Sequence, residues 1–131
     1  MVFKKKLKTK QQQGRGFLAD FFKSFSKTGT GSLVSVYTVP TADSGAVPPV
    51  LPTTALVKSI RISNPTGSAI TTKVVMVDAS NTNLSINLFL GSLAAETEQE
   101  ILTQPIVLEQ EDKIDITGSS TTILISLMEI T

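Results

Sequence analysis

The sequence predicts an all-β fold, a small antiparallel sandwich or barrel preceded by an extended arm. Three observations carry this. From Leu56 to Ile130 the chain runs through short, alternating, Thr- and Val-rich segments. Gly, Pro, Asn and Ser punctuate them at regular intervals. Before that stretch the composition changes, with lysines and phenylalanines crowded together. Period-two alternation in short runs bounded by turn residues is the signature of half-buried strands.

The chain has 131 residues, the length of one domain. We divide it into a basic, Phe-rich arm with a Pro-rich linker over residues 1–53 and a β-domain over residues 54–131. The net charge of +1 conceals two opposed parts. Residues 1–27 carry eight Lys and Arg against one acid, a net +7, and the remainder carries four against ten, a net −6. Such asymmetry draws the arm to acidic surfaces, or copies of the chain to one another.

Residues 1–16 hold too few apolar side chains to offset their own ordering entropy, so order there is expected only on binding. Phe17, Leu18, Phe21, Phe22 and Phe25 fall at i, i+1, i+4, i+5 and i+8, one face of a helix. The spacing predicts a short helix over 17–27, ended by Thr28-Gly-Thr-Gly31 acting as a flexible joint. Leu33–Val39 reads as a strand. Residues 40–54 hold four prolines, which exclude helix and central strand. An extended linker of that length spans roughly 45 Å. The competing reading is a surface loop packed on its own domain.

In the body, Leu56–Ser63 alternates Ile60 and Ile62 against Ser59 and Arg61. Asn64-Pro-Thr-Gly67 is a turn by residue type. Ile70–Asp78 follows as a strand, then the alternating run of Leu84, Ile86, Leu88 and Leu90. Residues 91–98 read as a loop. Pro105 interrupts the strand over 100–108 and places it at an edge or a bulge. Lys113–Thr117 and Thr122–Ile130 read as a closing hairpin across Gly118-Ser-Ser120. A body of about 75 residues buries a small core, and self-association is the expected supplement.

Little chemistry is offered. The chain has no histidine and no cysteine. That removes the commonest general base and transition-metal ligand, any thiolate site and any disulfide. No run of about 18 apolar residues exists to span a membrane, and no apolar stretch follows the basic start as in a signal peptide. Glu109, Glu111, Asp112 and Asp115 cluster before the last strands. Their spacing matches no EF-hand loop, and a solvated turn with Asp112 bonding local amides is the simpler reading. Gly14-Arg-Gly16 and Gly29-Thr-Gly31 lack phosphate-loop spacing and read as hinges. No catalytic residue, metal ligand, cofactor or small-molecule substrate is assigned. The expected binding residues are those of the arm: Phe17, Leu18, Phe21, Phe22 and Phe25 as anchors, with Lys4, Lys5, Lys6, Lys8 and Arg15 around them. Nucleic acid, a membrane surface and a protein groove all suit a basic arm with an apolar face. The protein partner is favoured, because the arm is joined to a reaching linker and a compact body.

Four segments carry a family resemblance. They are Thr54-Ala-Leu-Val-Lys-Ser-Ile-Arg-Ile-Ser-Asn-Pro-Thr66, Thr72-Lys-Val-Val-Met-Val77, Ile106-Val-Leu-Glu-Gln-Glu-Asp-Lys-Ile-Asp-Ile116 and Ile125-Ser-Leu-Met-Glu-Ile130. Together they resemble small β-sandwich virion proteins of tailed bacteriophages. The resemblance covers residues 54–131 and leaves the arm uncovered. In the family's usual form a Gly precedes the Asp of the third segment. Here Glu111 stands there, which leaves the turn's conformation open. The resemblance implies a jelly-roll or Ig-like sandwich and a non-enzymatic structural protein present in many copies in the virion, assembled in the host cytoplasm. Among the roles open to such a protein, the favoured reading is a capsid cement (decoration) protein that forms homo-oligomers and binds the major capsid protein through its arm. A head–tail adaptor, a tail or baseplate component, and a carbohydrate-binding host-recognition module are the alternatives. Against the last, residues 54–131 hold a single aromatic, Phe89.

Overall fold

The computed structural model describes residues 20–131, and for Asp20 the backbone only. Among the described residues nine strands form two antiparallel sheets. They are β1 (Asp20–Thr28), β2 (Val34–Thr38), β3 (Thr54–Asn64), β4 (Ile70–Asp78), β5 (Leu84–Leu93), β6 (Thr97–Glu100), β7 (Ile106–Leu108), β8 (Lys113–Thr117) and β9 (Thr122–Ile130). The first sheet runs β1-β9-β3-β6, with β7 also paired to β3, and the second runs β2-β8-β4-β5. A 3-10 turn, Ala79–Asn81, is the one helical element among the described residues.

The core lies between the sheets. Val57, Ile60, Ile62, Leu108, Ile114, Ile116, Ile123, Ile125 and Leu127 are fully buried there. They come from alternate positions of strands in both sheets, as the period of two requires.

The helix expected over 17–27 is not formed across the described part of that span. Residues 20–28 are a strand that pairs with β9 along its full length, from Asp20↔Ile130 to Thr28↔Thr122. Phe17 and Leu18 lie outside the described residues. The apolar pattern fitted a helical face, but a nine-residue ladder against β9 pairs one edge of the strand and half-buries Phe25 against the core. Tertiary pairing therefore overrides local periodicity. Both β1 and β2 precede the boundary drawn at residue 53, and each is a strand of a sheet.

Two further expectations change. β8 and β9 do not form a hairpin, because they belong to different sheets. The 118–121 segment is a corner that carries the chain from one sheet to the other. The 28–31 segment is no joint. Gly29 donates to Thr121 O at 2.6 Å, Ser120 N donates to Gly29 O, and Gly118 N donates to Thr30 O. A Cβ at Gly29 would collide with the Gly118 carbonyl, so this close approach needs glycine.

The Pro-rich segment folds back on the body rather than extending. Asp43 and Val50 exchange two backbone hydrogen bonds, 2.9 and 2.8 Å. Gln110 Oε1 accepts from Ala42 N at 2.6 Å. Val39 and Thr53, at its two ends, are buried.

Asp112 is 3% exposed, so it is buried rather than solvated, and its carboxylate is taken by one local and one distant amide. Its Oδ1 accepts from Ala79 N and its Oδ2 from Glu109 N, both at 2.9 Å. The turn before it is left-handed at Glu111, with φ +70°. The position where the resembled family carries Gly thus keeps the conformation that Gly favours. A non-Gly residue there costs about 1–2 kcal/mol, and Gly costs about 0.5–1 kcal/mol in chain entropy. Glu111→Gly is therefore expected to stabilise the protein by about 0.5–1 kcal/mol. That is a rise of a few degrees in Tm, to be read by calorimetry. No gain would show that the loop around Glu111 compensates its strain.

Candidate interaction surface

Directly opposed residues on antiparallel strands share a face. Three such pairings line up four residues across the outer face of the first sheet. Phe22 faces Met128, Met128 faces Leu56, and Leu56 faces Val107. The result is an apolar row crossing β1, β9, β3 and β7. Its ends are open to solvent, Phe22 at 74% and Val107 at 58%. The next row is Ser24, Ser126 and Ser59, all small polar side chains. Beyond it, Leu124 is also exposed. Lys58, on β3, reaches across β9 and sets its ammonium 5.7 Å from the Phe22 ring centroid. Such an exposed cation–π contact stabilises by about 0.5–1 kcal/mol.

The opposite side of β1 does different work. Phe21, Lys23, Phe25 and Lys27 face Glu129, Leu127, Ile125 and Ile123, so they point inward. Phe25 packs on the core, its ring centroid 4.7 Å from that of Tyr37. Lys23 Nζ meets Glu129 Oε1 at 2.6 Å. Tyr37 Oη donates to Glu129 Oε2, also at 2.6 Å. Burial pushes the Tyr37 phenol well above its ordinary range, and the Glu129 hydrogen bond and charge add to this. The phenol therefore stays a neutral donor. Lys27 Nζ donates to Ser35 O on β2, which ties the edges of the two sheets together.

The arm residues chosen from the sequence thus separate. Phe22 stands on the outer face, Phe21 is half exposed at the inner rim, and Phe25 is half-buried against the core. Lys4, Lys5, Lys6, Lys8, Arg15, Phe17 and Leu18 lie outside the described residues. Leu56, Val107 and Met128 were not singled out from the sequence. Their signal was available, since each is an apolar residue at the outward position of an alternating strand. It became legible only with the register.

On the far edge, Glu100 fills a bulge in β3. It accepts from Ser59 Oγ, from Ile60 N at 2.8 Å and from Leu102 N at 3.2 Å. Desolvation pushes its carboxyl upward, but these bonds and the Arg61 charge outweigh it and hold the group below its usual range. Glu98 pairs with Arg61 at 3.0 Å. Phe89 is half-buried against the core and presents no platform to a ligand. Among the described residues, no three acidic side chains converge as a metal site would require.

No known family model and no curated protein matches the chain. Solved structures do resemble it. One is of a Bacillus endospore appendage, from a family of disulfide-linked pili. It has TM-score 0.51 and 12% identity, over 87% of this chain and 88% of that one. Another is of the infectious bursal disease virus Gx strain. It has TM-score 0.43 and 10% identity, over 86% of this chain and 32% of that one. The first shows a shared fold. The second is too distant to support an argument. The chain has no cysteine, so the appendage's disulfide links have no counterpart in it.

Proposed function

We propose that the protein is a non-enzymatic structural subunit of a tailed-phage virion, and specifically a capsid cement protein. The observation that carries this is the apolar row Phe22–Met128–Leu56–Val107 on the outer face of the first sheet. A protein that works alone gains nothing from four apolar residues aligned across its surface. Exposed apolar patches rimmed by small polar groups mark association surfaces. The resemblance of residues 54–131 to phage virion proteins supports the reading, and so does a fold shared with the subunit of an assembled appendage. The basic segment before β1 adds long-range attraction to an acidic shell. In such arrangements apolar anchors set affinity, and exposed lysines set on-rate and salt sensitivity.

The test uses particles stripped of this protein and re-decorated in vitro. Val107→Lys places a charge at the far end of the row, on an exposed side chain that the fold does not need. It is expected to lower particle occupancy by about tenfold or more, the effect of losing an interface anchor. Changing Lys4, Lys5, Lys6 and Lys8 to Gln should slow binding at low salt and leave saturation intact. If the Val107 variant binds normally while the lysine variant fails at every salt concentration, the protein binds electrostatically and the apolar row is not its contact surface.

A further inference from the structure

The two sheets have four edges among the described residues, and three of them are guarded. β2 carries a bulge between Ser35 and Tyr37. β5 carries one opposite Val74/Val75 and contains Gly91. The β6 and β7 edge is broken into strands of four and three residues with Pro105 between them. Bulges, short strands, proline and charge are how sheets prevent edge-to-edge pairing. β1 has no bulge, no break and no proline, and the charge on Lys23 and Lys27 is bound within its own molecule. It is nine residues long and pairs with β9 without a register shift. Its lysines turn inward, to Glu129 and Ser35. Phe22, the most exposed phenylalanine among the described residues, stands on it.

We propose that β1 is an association edge, and that its occupant is β1 of a second copy of this chain, added antiparallel across a two-fold axis at Phe22. The sequence of the strand selects this register. Centred on Phe22, the two Phe22 rings become a directly opposed aromatic pair on the outer face, an arrangement that stabilises sheets. The apolar row then runs unbroken from Val107 of one copy to Val107 of the other. On the inner face, Phe21 comes opposite Lys23 of the partner. That repeats between copies the contact already made within one, where Lys23 Nζ lies 5.9 Å from the Phe21 ring. A two-fold contact of this kind closes on itself and forms a dimer. The inference rests on the reading of the protein as a self-associating structural subunit, but it is tested without particles.

The experiment uses the full chain in solution. Sedimentation should show a concentration-dependent monomer–dimer equilibrium. Phe22→Lys sets two like charges opposite each other and is expected to raise the dimer dissociation constant about tenfold or more. Phe22→Tyr should retain the dimer. Register is read by cross-linking, since the chain has no cysteine of its own. Directly opposed Cβ atoms lie about 4.5–5.5 Å apart, close to the span of a disulfide. Phe22→Cys should therefore oxidise to a covalent dimer. Ser26→Cys, four residues along, would sit roughly 26 Å from its mate and should not. A monomer at every concentration overturns the proposal, as does a dimer indifferent to Phe22→Lys or one that cross-links equally well from Ser26→Cys. The Val107→Lys result on particles is separate. A solution dimer whose Val107 variant decorates normally removes the row as the capsid contact and leaves the edge pairing standing.

Discussion

Replacing Asn64 by Ala is expected to lower the stability of the protein by about 3 kcal/mol. Asn64 is fully buried where β3 leaves the first sheet for β4 in the second. Every hydrogen-bonding site of its amide is used. Nδ2 donates to Ser68 O at 2.8 Å and to Leu93 O at 2.9 Å. Oδ1 accepts from Thr66 N at 3.0 Å and from Thr66 Oγ1 at 2.7 Å. One side chain thus fixes the corner and ties it to the end of β5. Alanine removes all four bonds. Each is worth about 0.5–1.5 kcal/mol net, and the Leu93 carbonyl, left buried without its donor, adds about 1–3 kcal/mol. Urea unfolding should show a lower midpoint with an unchanged slope. Asn64→Asp keeps the acceptor but loses both donors, and should be no better. A loss below about 0.5 kcal/mol would mean that water replaces the amide, and that the corner is held by Pro65 and its flanking strands.

The second large effect is expected at Glu129. Its carboxylate is 5% exposed and joins Tyr37 on β2 to Lys23 on β1. Glu129→Ala leaves the buried Tyr37 hydroxyl without an acceptor and frees Lys23. The Lys23 side chain is already 44% exposed, so its ammonium can regain water. The orphaned hydroxyl and the void are the larger part of the cost, about 2–4 kcal/mol in all. Tyr37→Phe in the Glu129→Ala background removes the orphan and should recover part of that loss. A double-mutant cycle measures the coupling. Hydrogen exchange should quicken along β1 before it does along β3 or β9, because β1 loses its tie to β2. Additive single-variant effects would show that the two side chains act independently.

These two sites show what was legible in the sequence. The Asn64 turn was readable from residue type, since Asn-Pro-Thr-Gly after an alternating strand ends that strand wherever it lies. The body strands were readable because Ile60/Ile62 and Ile123/Ile125/Leu127 alternate cleanly. β1 was not. Its inward face reads Phe21, Lys23, Phe25, Lys27, two apolar and two charged residues in alternation. Without Glu129 as the buried partner of Lys23, that face does not look like one face at all. Three phenylalanines at positions 21, 22 and 25 then favour a helix by default. The β8–β9 connection failed for a related reason. A turn of Gly118-Ser-Ser120 is the same whether the chain doubles back within a sheet or crosses to the other. Only side-chain packing across the core distinguishes the two.

Among the described residues β9 is the last strand in chain order, yet it lies in the interior of the first sheet, between β1 and β3. Tyr37 and Glu129, which lock that arrangement, stand 92 positions apart. The second sheet contains only β2, β8, β4 and β5, and all of them leave the ribosome before Thr122 does. Half of the sandwich can pair during synthesis, while β1 and β3 wait with their facing edges bare. Translation stalled before Thr122 thus yields a chain with two long, unpaired strand edges, the form most exposed to wrong partners. Synthesis of β9 converts it to the protected sandwich, so the step that closes the fold is also the step that ends its vulnerability.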